Sequence, residues 1–180
     1  FDMADGYDSI ADPGVDRLLR SLYNPDASAN DVERGARVIN ASWGRSYHGQ
    51  YTSFCRLYDE ALRSEYPDLL LVVSAGNTGR AGMQSIQDPA DCKSPLAVGS
   101  TLSHGSDLRD GELGIEYLAD YSSRGPTMDE RIKPDIVAPG HFVLAARAVP
   151  DAAGECDGPS DPNVKRSSAG GDRIRYTTGT

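Results

Sequence analysis

The stretch that most constrains this chain is Leu69-Leu70-Leu71-Val72-Val73, which runs straight into Ser74-Ala75-Gly76-Asn77-Thr78-Gly79. The apolar run offers a helix no polar face, so it predicts a strand buried on both sides. The strand stops in small residues that allow another backbone or a ligand to come close, and its two glycines permit a sharp turn. Asn77 is the first polar side chain with reach beyond the strand. It stands at the carboxyl end of a buried strand, where open α/β sheets keep their ligand sites. Taken alone, Asn77 also reads as a turn residue bonded to its own backbone.

The segments on either side make an α/β order. Val15, Leu18, Leu19 and Leu22 recur at helical spacing, with Asp12-Pro13 as the start signal and Asn24-Pro25-Asp26 as the break. Ala36 to Ser42 predicts a second strand ending in Ser42-Trp43-Gly44. Phe54, Leu57, Tyr58, Ala61 and Leu62 mark one face of a helix over Tyr51 to Tyr66. Strand, helix and strand in that order make a right-handed parallel crossover. It places Ser42-Trp43-Gly44 and Ser74-Ala75-Gly76 side by side at one sheet edge, as two walls of small residues with a gap between them.

Further strands are predicted at Phe1 to Tyr7, Pro95 to Thr101, Ile115 to Tyr121, Asp135 to Gly140, Phe142 to Ala146 and Arg173 to Thr178. Polar loops are expected over Arg80 to Ser94, Ser103 to Gly114 and Pro150 to Gly171. Asn40-Ala41-Ser42 matches a glycosylation acceptor. It is discounted because a strand leading into the core is inaccessible.

The 180 residues suit one domain with a real core. A net charge of −9 excludes nucleic acid as a natural partner, since phosphate binding needs a basic face. No apolar run reaches the roughly 18 residues of a membrane span. Cys55, Cys92 and Cys156 match no zinc spacing, and their odd number leaves at least one unpaired within this segment. A Cys55–Cys92 bridge is one pairing open to them, but sequence does not give the distance. His48, His104 and His141 stand apart from one another, so no metal site is expected.

Six segments in order resemble the subtilisin-like serine proteases, or subtilases. They are Val38-Ile39-Asn40-Ala41-Ser42-Trp43-Gly44, Ser74 to Gly79, Ser94 to Gly99, Tyr121-Ser122-Ser123-Arg124-Gly125-Pro126, Lys133 to Gly140, and Thr178-Gly179-Thr180. Together they cover nearly the whole chain. The opening Phe-Asp-Met-Ala-Asp and the Ser-Arg-Gly-Pro-Thr stretch look most like the larger alkaline-protease-like branch.

The resemblance implies a three-layer α/β domain with a mostly parallel central sheet flanked by helices. It implies serine endopeptidase chemistry on protein or peptide substrates in a monomer, secreted and needing no cofactor for the chemistry. Asn77 is then the oxyanion donor. Ser42, Trp43 and Gly44 pair with substrate as an added strand, and Ser74, Ala75 and Gly76 form the opposite wall of the primary pocket. Small residues on both walls imply room for a large side chain. Trp43 reads either as an apolar platform for substrate or as a core aromatic. Asp88-Pro89-Ala90 matches the loop at the pocket base, where the proline is often cis. Subtilases often bind calcium in loops, but the Asp-rich loops here show no fixed ligand spacing, so no metal residue is assigned.

The family's Asp and His segments are expected before this region, and its Ser directly after Thr180, in the order Asp, His, Ser. The chain then reads as the interior of a catalytic domain, incomplete at both ends and inactive by itself. His104-Gly105 is the nearest imitation of the His segment, but it follows the oxyanion segment. Two rivals stand beside this reading. One is a subtilase fold that has lost a triad residue and binds peptide or serves a structural role. The other is a nucleotide-binding domain, which Gly76-Asn77-Thr78-Gly79 does not fit because it lacks Gly-x-Gly-x-x-Gly spacing.

Overall fold

A computed structural model describes residues 14–23, 35–45, 48–103, 114–146 and 174–180. Four parallel strands form the sheet: β1 (Val38–Ala41), β2 (Leu70–Ser74), β3 (Leu96–Thr101) and β4 (Ile136–Pro139), adjacent in that order. The protein is therefore α/β. Two further strands, β5 (Val143–Ala146) and β6 (Ile174–Thr177), pair antiparallel in a separate ribbon. The expected strand at Phe1 to Tyr7, the Asp12-Pro13 cap, and the loops over 104–113 and 150–171 lie outside the described residues, as does His104.

Helix α1 (Val15–Tyr23) follows Gly14, whose φ of +76° suits a glycine. Helix α2 (Ser53–Glu60) begins where the Thr52 hydroxyl accepts from the Cys55 N–H, an N-cap. The apolar periodicity continues past Glu60, but the last turn widens into a π turn over Ala61–Glu65. The helical face buries Tyr58, Ala61 and Leu62 against Ile39, Ala41, Leu71, Val73 and Ala97 of the sheet. Register makes those strand residues one face, since Ile39 pairs with Leu71 and Ala41 with Val73, which pairs with Ala97.

The expectation that the Leu69–Val73 run is buried on both faces fails here. Leu71 and Val73 are each 1% exposed, whereas Leu70 is 42% exposed and Val72 half-buried. Val38, beside Leu70 in register, and Ile136 are also exposed. Among the described residues, the helices whose side chains enter the core cover one side of the sheet only. Asn40 is on the open side and exposed, so inaccessibility does not hold against it; its Nδ2 donates to Ser42 Oγ at 3.1 Å.

Ile115 to Tyr121 is not a strand. Its one ladder contact is an isolated antiparallel bridge between Leu118 and Thr101, flanked by turns. That bridge is enough to hold the segment against β3, through Leu102 N–H to Tyr117 O and Ala119 N–H to Ser100 O.

Candidate active site

The site grows from the carboxyl ends of β1 and β2. Parallel pairing brings Ala41 opposite Val73, so Ser42-Trp43-Gly44 and Ser74-Ala75-Gly76 leave the sheet side by side. Ala75 N–H donates to Val98 O and Gln87 N–H to Ala75 O, which fixes the second wall between its neighbours. Gly76 has φ of +109°, a conformation side chains rarely adopt. Its carbonyl accepts from Ser123 N–H at 2.9 Å.

The turn that presents Asn77 is tied from behind. Thr78 N–H donates to Ser123 Oγ at 3.1 Å, the Thr78 hydroxyl donates to Ser85 O at 2.9 Å, and Gly79 N–H donates to Tyr121 O at 2.8 Å. Ser123 and Ser85 are themselves buried. The Tyr121 to Pro126 segment therefore serves as the brace for this turn.

Asn77 is exposed. Its Oδ1 accepts twice from one residue: the Thr180 N–H at 3.2 Å and the Thr180 hydroxyl at 3.0 Å. Thr180 reaches it because Gly179 N–H donates to Gly140 O at 3.0 Å, which joins the end of the chain to the end of β4. A methyl group on Gly140 would stand 2.4 Å from Gly179 O, so only glycine permits that approach. With Oδ1 held, the amide plane is fixed and the two Nδ2 hydrogens remain free to donate. Sequence reasoning found no partner for Asn77. Thr180 lies 103 residues away, and only the order of the matched segments hinted at their meeting.

The gap between the walls is partly filled. A methyl group on Gly76 would lie 2.5 Å from Cγ and Oε1 of Gln87, so the Gln87 side chain rests flat on that glycine. The Gln87 Cβ is also 3.4 Å from where a Gly44 methyl would be. Both glycines make room for the 87–88 backbone and side chain. Trp43 is half-buried against the core, with part of its surface outward.

The loop that carries Gln87 is pinned at both ends. Arg45 and Asp88 exchange N–H···O bonds of 2.8 and 2.9 Å, and the Asp88–Pro89 bond is cis. Cys55 of α2 and Cys92 form a disulfide across 37 residues. Next to it, burial and the charge of Asp88 push Asp91 up to about 7. Asp59, also buried, accepts from Lys93 N–H and Ser94 N–H and from the Tyr51 hydroxyl. Burial and that carboxylate push Tyr51 up to about 12.

A parallel sheet with an asparagine and two small-residue walls at its strand tips defines a class: α/β domains that present a polar side chain at the carboxyl ends of their strands. The particular family is shown by its model. Peptidase S8, the subtilase family, matches residues 3–180, and the chain belongs to it. The serine protease AprX of Bacillus subtilis (strain 168) is 28% identical over 145 residues, covering 79% of this chain and 30% of that protein. The chain thus spans less than a third of that relative's length. Among solved structures, the prenylagaramide maturation protease PagA aligns with a TM-score of 0.45 and 24% identity over 73% of this chain and 39% of that one. The psychrophilic subtilisin-like protease Apa1 from an Antarctic Pseudoalteromonas, strain AS-11, aligns with a TM-score of 0.41 and 24% identity over 62% of this chain and 20% of that one.

Proposed function

We propose that these residues form the oxyanion and substrate-binding half of a serine endopeptidase site. The observation that carries the reading is the double hold of Thr180 on Asn77 Oδ1, which leaves Nδ2 as a neutral, oriented donor at a strand tip. Such a donor stabilises negative charge only where it develops, and it needs no reorganisation when the charge appears. In this reading the nucleophilic serine of the longer protein follows Thr180, with the histidine and aspartate supplied from before this segment. Its backbone N–H is the second oxyanion donor. Ser42, Trp43 and Gly44 align the peptide as an added strand, and Ser74, Ala75 and Gly76 face it across the primary pocket.

No described helix is long and apolar enough to cross a membrane. The substrate is a peptide or protein, and the enzyme is secreted and acts as a monomer with no cofactor in the chemistry.

The test is the Asn77→Ala variant of the longer protein, assayed on a chromogenic peptide. Turnover should drop about 100- to 1000-fold with KM little changed, a magnitude carried over from a subtilisin asparagine. Unchanged kcat removes Asn77 from the mechanism. Peptide binding without hydrolysis, and no labelling by a serine-directed organophosphorus reagent, establishes the peptide-binding subtilase fold instead.

A further inference from the structure

Beside the pocket loop lies a group of side chains that the proposed reaction does not use. Cys55, Cys92, Asp88 and Asp91 are all buried, and one donor atom of each falls within 4.8 Å of the others. Two carboxylates that are 1% and 0% exposed, side by side, are costly to hold without a cation between them. Asp91 Oδ2 is buried with no hydrogen-bond partner, and its Oδ1 faces Cys55 Sγ at 3.1 Å. An orphaned carboxylate oxygen of this kind calls for a chemical reason.

We propose that, in its reduced state, this cluster is a binding site for one thiophilic divalent cation of the zinc class. Metal–sulfur bonds near 2.3 Å and metal–oxygen bonds near 2.0–2.2 Å in a tetrahedron require ligand atoms about 3.3–3.8 Å apart. The Cys55 Sγ to Asp91 Oδ1 distance is 3.1 Å, and Cys92 Sγ lies 3.9 Å from both Asp88 Oδ1 and Asp91 Oδ1. The sulfur pair, joined as a disulfide, must separate for both to bind. A dithiol reductant supplies the two electrons and two protons that turn the disulfide into two thiols and is itself oxidised to a disulfide. On metal binding those two thiols release their protons to solvent.

The surroundings suit the donors. Asp88 Oδ2 accepts from the Thr52 hydroxyl at 2.9 Å, which orients its other oxygen toward Cys92. Two thiolates and two carboxylates around a dication leave a net negative charge. Arg131, whose Nη2 donates to Asp91 O at 2.6 Å and whose Nη1 is buried without a partner, stands ready to offset it. Two sulfur donors favour zinc-class ions over calcium or magnesium. The spacing of cysteines along the chain conceals the site, because Cys55 comes from α2 and the other three ligands from one short loop.

Because every ligand is buried, the metal enters as the chain folds. The full chain is unfolded with dithiothreitol, freed of it in denaturant without oxygen, and refolded with Co2+ as the probe. The expected result is one equivalent bound, with sulfur-to-cobalt charge-transfer absorption and visible bands of tetrahedral intensity, both abolished by Zn2+. Asp91→Asn should weaken binding at least tenfold, and Cys156→Ser should leave it intact. The oxidised wild-type chain, which keeps its fold, should show no such absorption. Absent bands in refolded reduced protein, bands of equal strength in the oxidised chain, or undiminished affinity in Asp91→Asn overturns the proposal.

Discussion

Thr180 acts on Asn77 through two hydrogen bonds, and they are not equivalent. The backbone N–H survives in Thr180→Ala, whereas the hydroxyl is lost. Removing one of two holds on Oδ1 loosens the amide plane without removing the Nδ2 donor. Thr180→Ala should therefore lower kcat about fivefold, well short of the loss in Asn77→Ala, as expected when about 1 kcal/mol of hydrogen-bond orientation is lost. Steady-state kinetics on one peptide with the two variants side by side checks this. Equal losses would mean that Thr180 touches the oxyanion itself, and no loss would mean that the N–H alone suffices. Asn77 was legible as a candidate because it ends an apolar strand in a glycine-flanked turn. Its partner was not, because a contact between residues 77 and 180 depends on how β4 and β6 close together.

At the level of the loop between β2 and β3, residues 85–92 join three things: the second wall, the first wall through Arg45, and α2 through the disulfide. Gln87 projects from it onto Gly76 and toward Gly44. A long polar side chain there shortens the pocket that two glycine walls would otherwise leave deep. Gln87→Gly should raise kcat/KM for large apolar residues before the scissile bond about tenfold relative to alanine, comparable to the 1–3 kcal/mol attached to small changes of pocket volume. A substrate library varied at that position measures it, and an unaltered preference places Gln87 outside the pocket.

The elements were largely readable. The four sheet strands, both helices and the β5–β6 ribbon follow from apolar runs, helical spacing and turn residues. Three features were not. The π turn at Ala61–Glu65 keeps the same apolar face as an α-helix, so periodicity does not distinguish it. Ile115 to Tyr121 has strand-like residues but only one ladder partner. The open face of β2 depends on what packs there, and apolar content alone is silent on that.

Across the whole molecule, Arg131 connects distant loops: its Nε bonds Asp129, and its Nη2 bonds the Asp91 carbonyl. Arg131 and the Thr127 hydroxyl hold the Asp129 carboxyl at about 2, below its ordinary 3.8. Between these values the unfolded chain binds more protons than the folded one, so stability falls with falling pH. The contribution is complete above about pH 4 and gone below about pH 2. Asp129 is 45% exposed, so solvent screening keeps the effect modest. Thermal melts of Asp129→Asn from pH 5 to pH 2 should show a flatter acid decline than wild type; an identical slope assigns that decline to other carboxylates.

The bare side of the sheet has a colloidal consequence. Among the described residues, Val38, Leu70 and Ile136, which share that side in register, keep between 42% and 62% of their surface in water and make one apolar plate. Plates of that kind wet poorly, and surface tension favours their stacking over their dispersal. The chain's net charge of −9 works against that attraction, because like-charged copies repel.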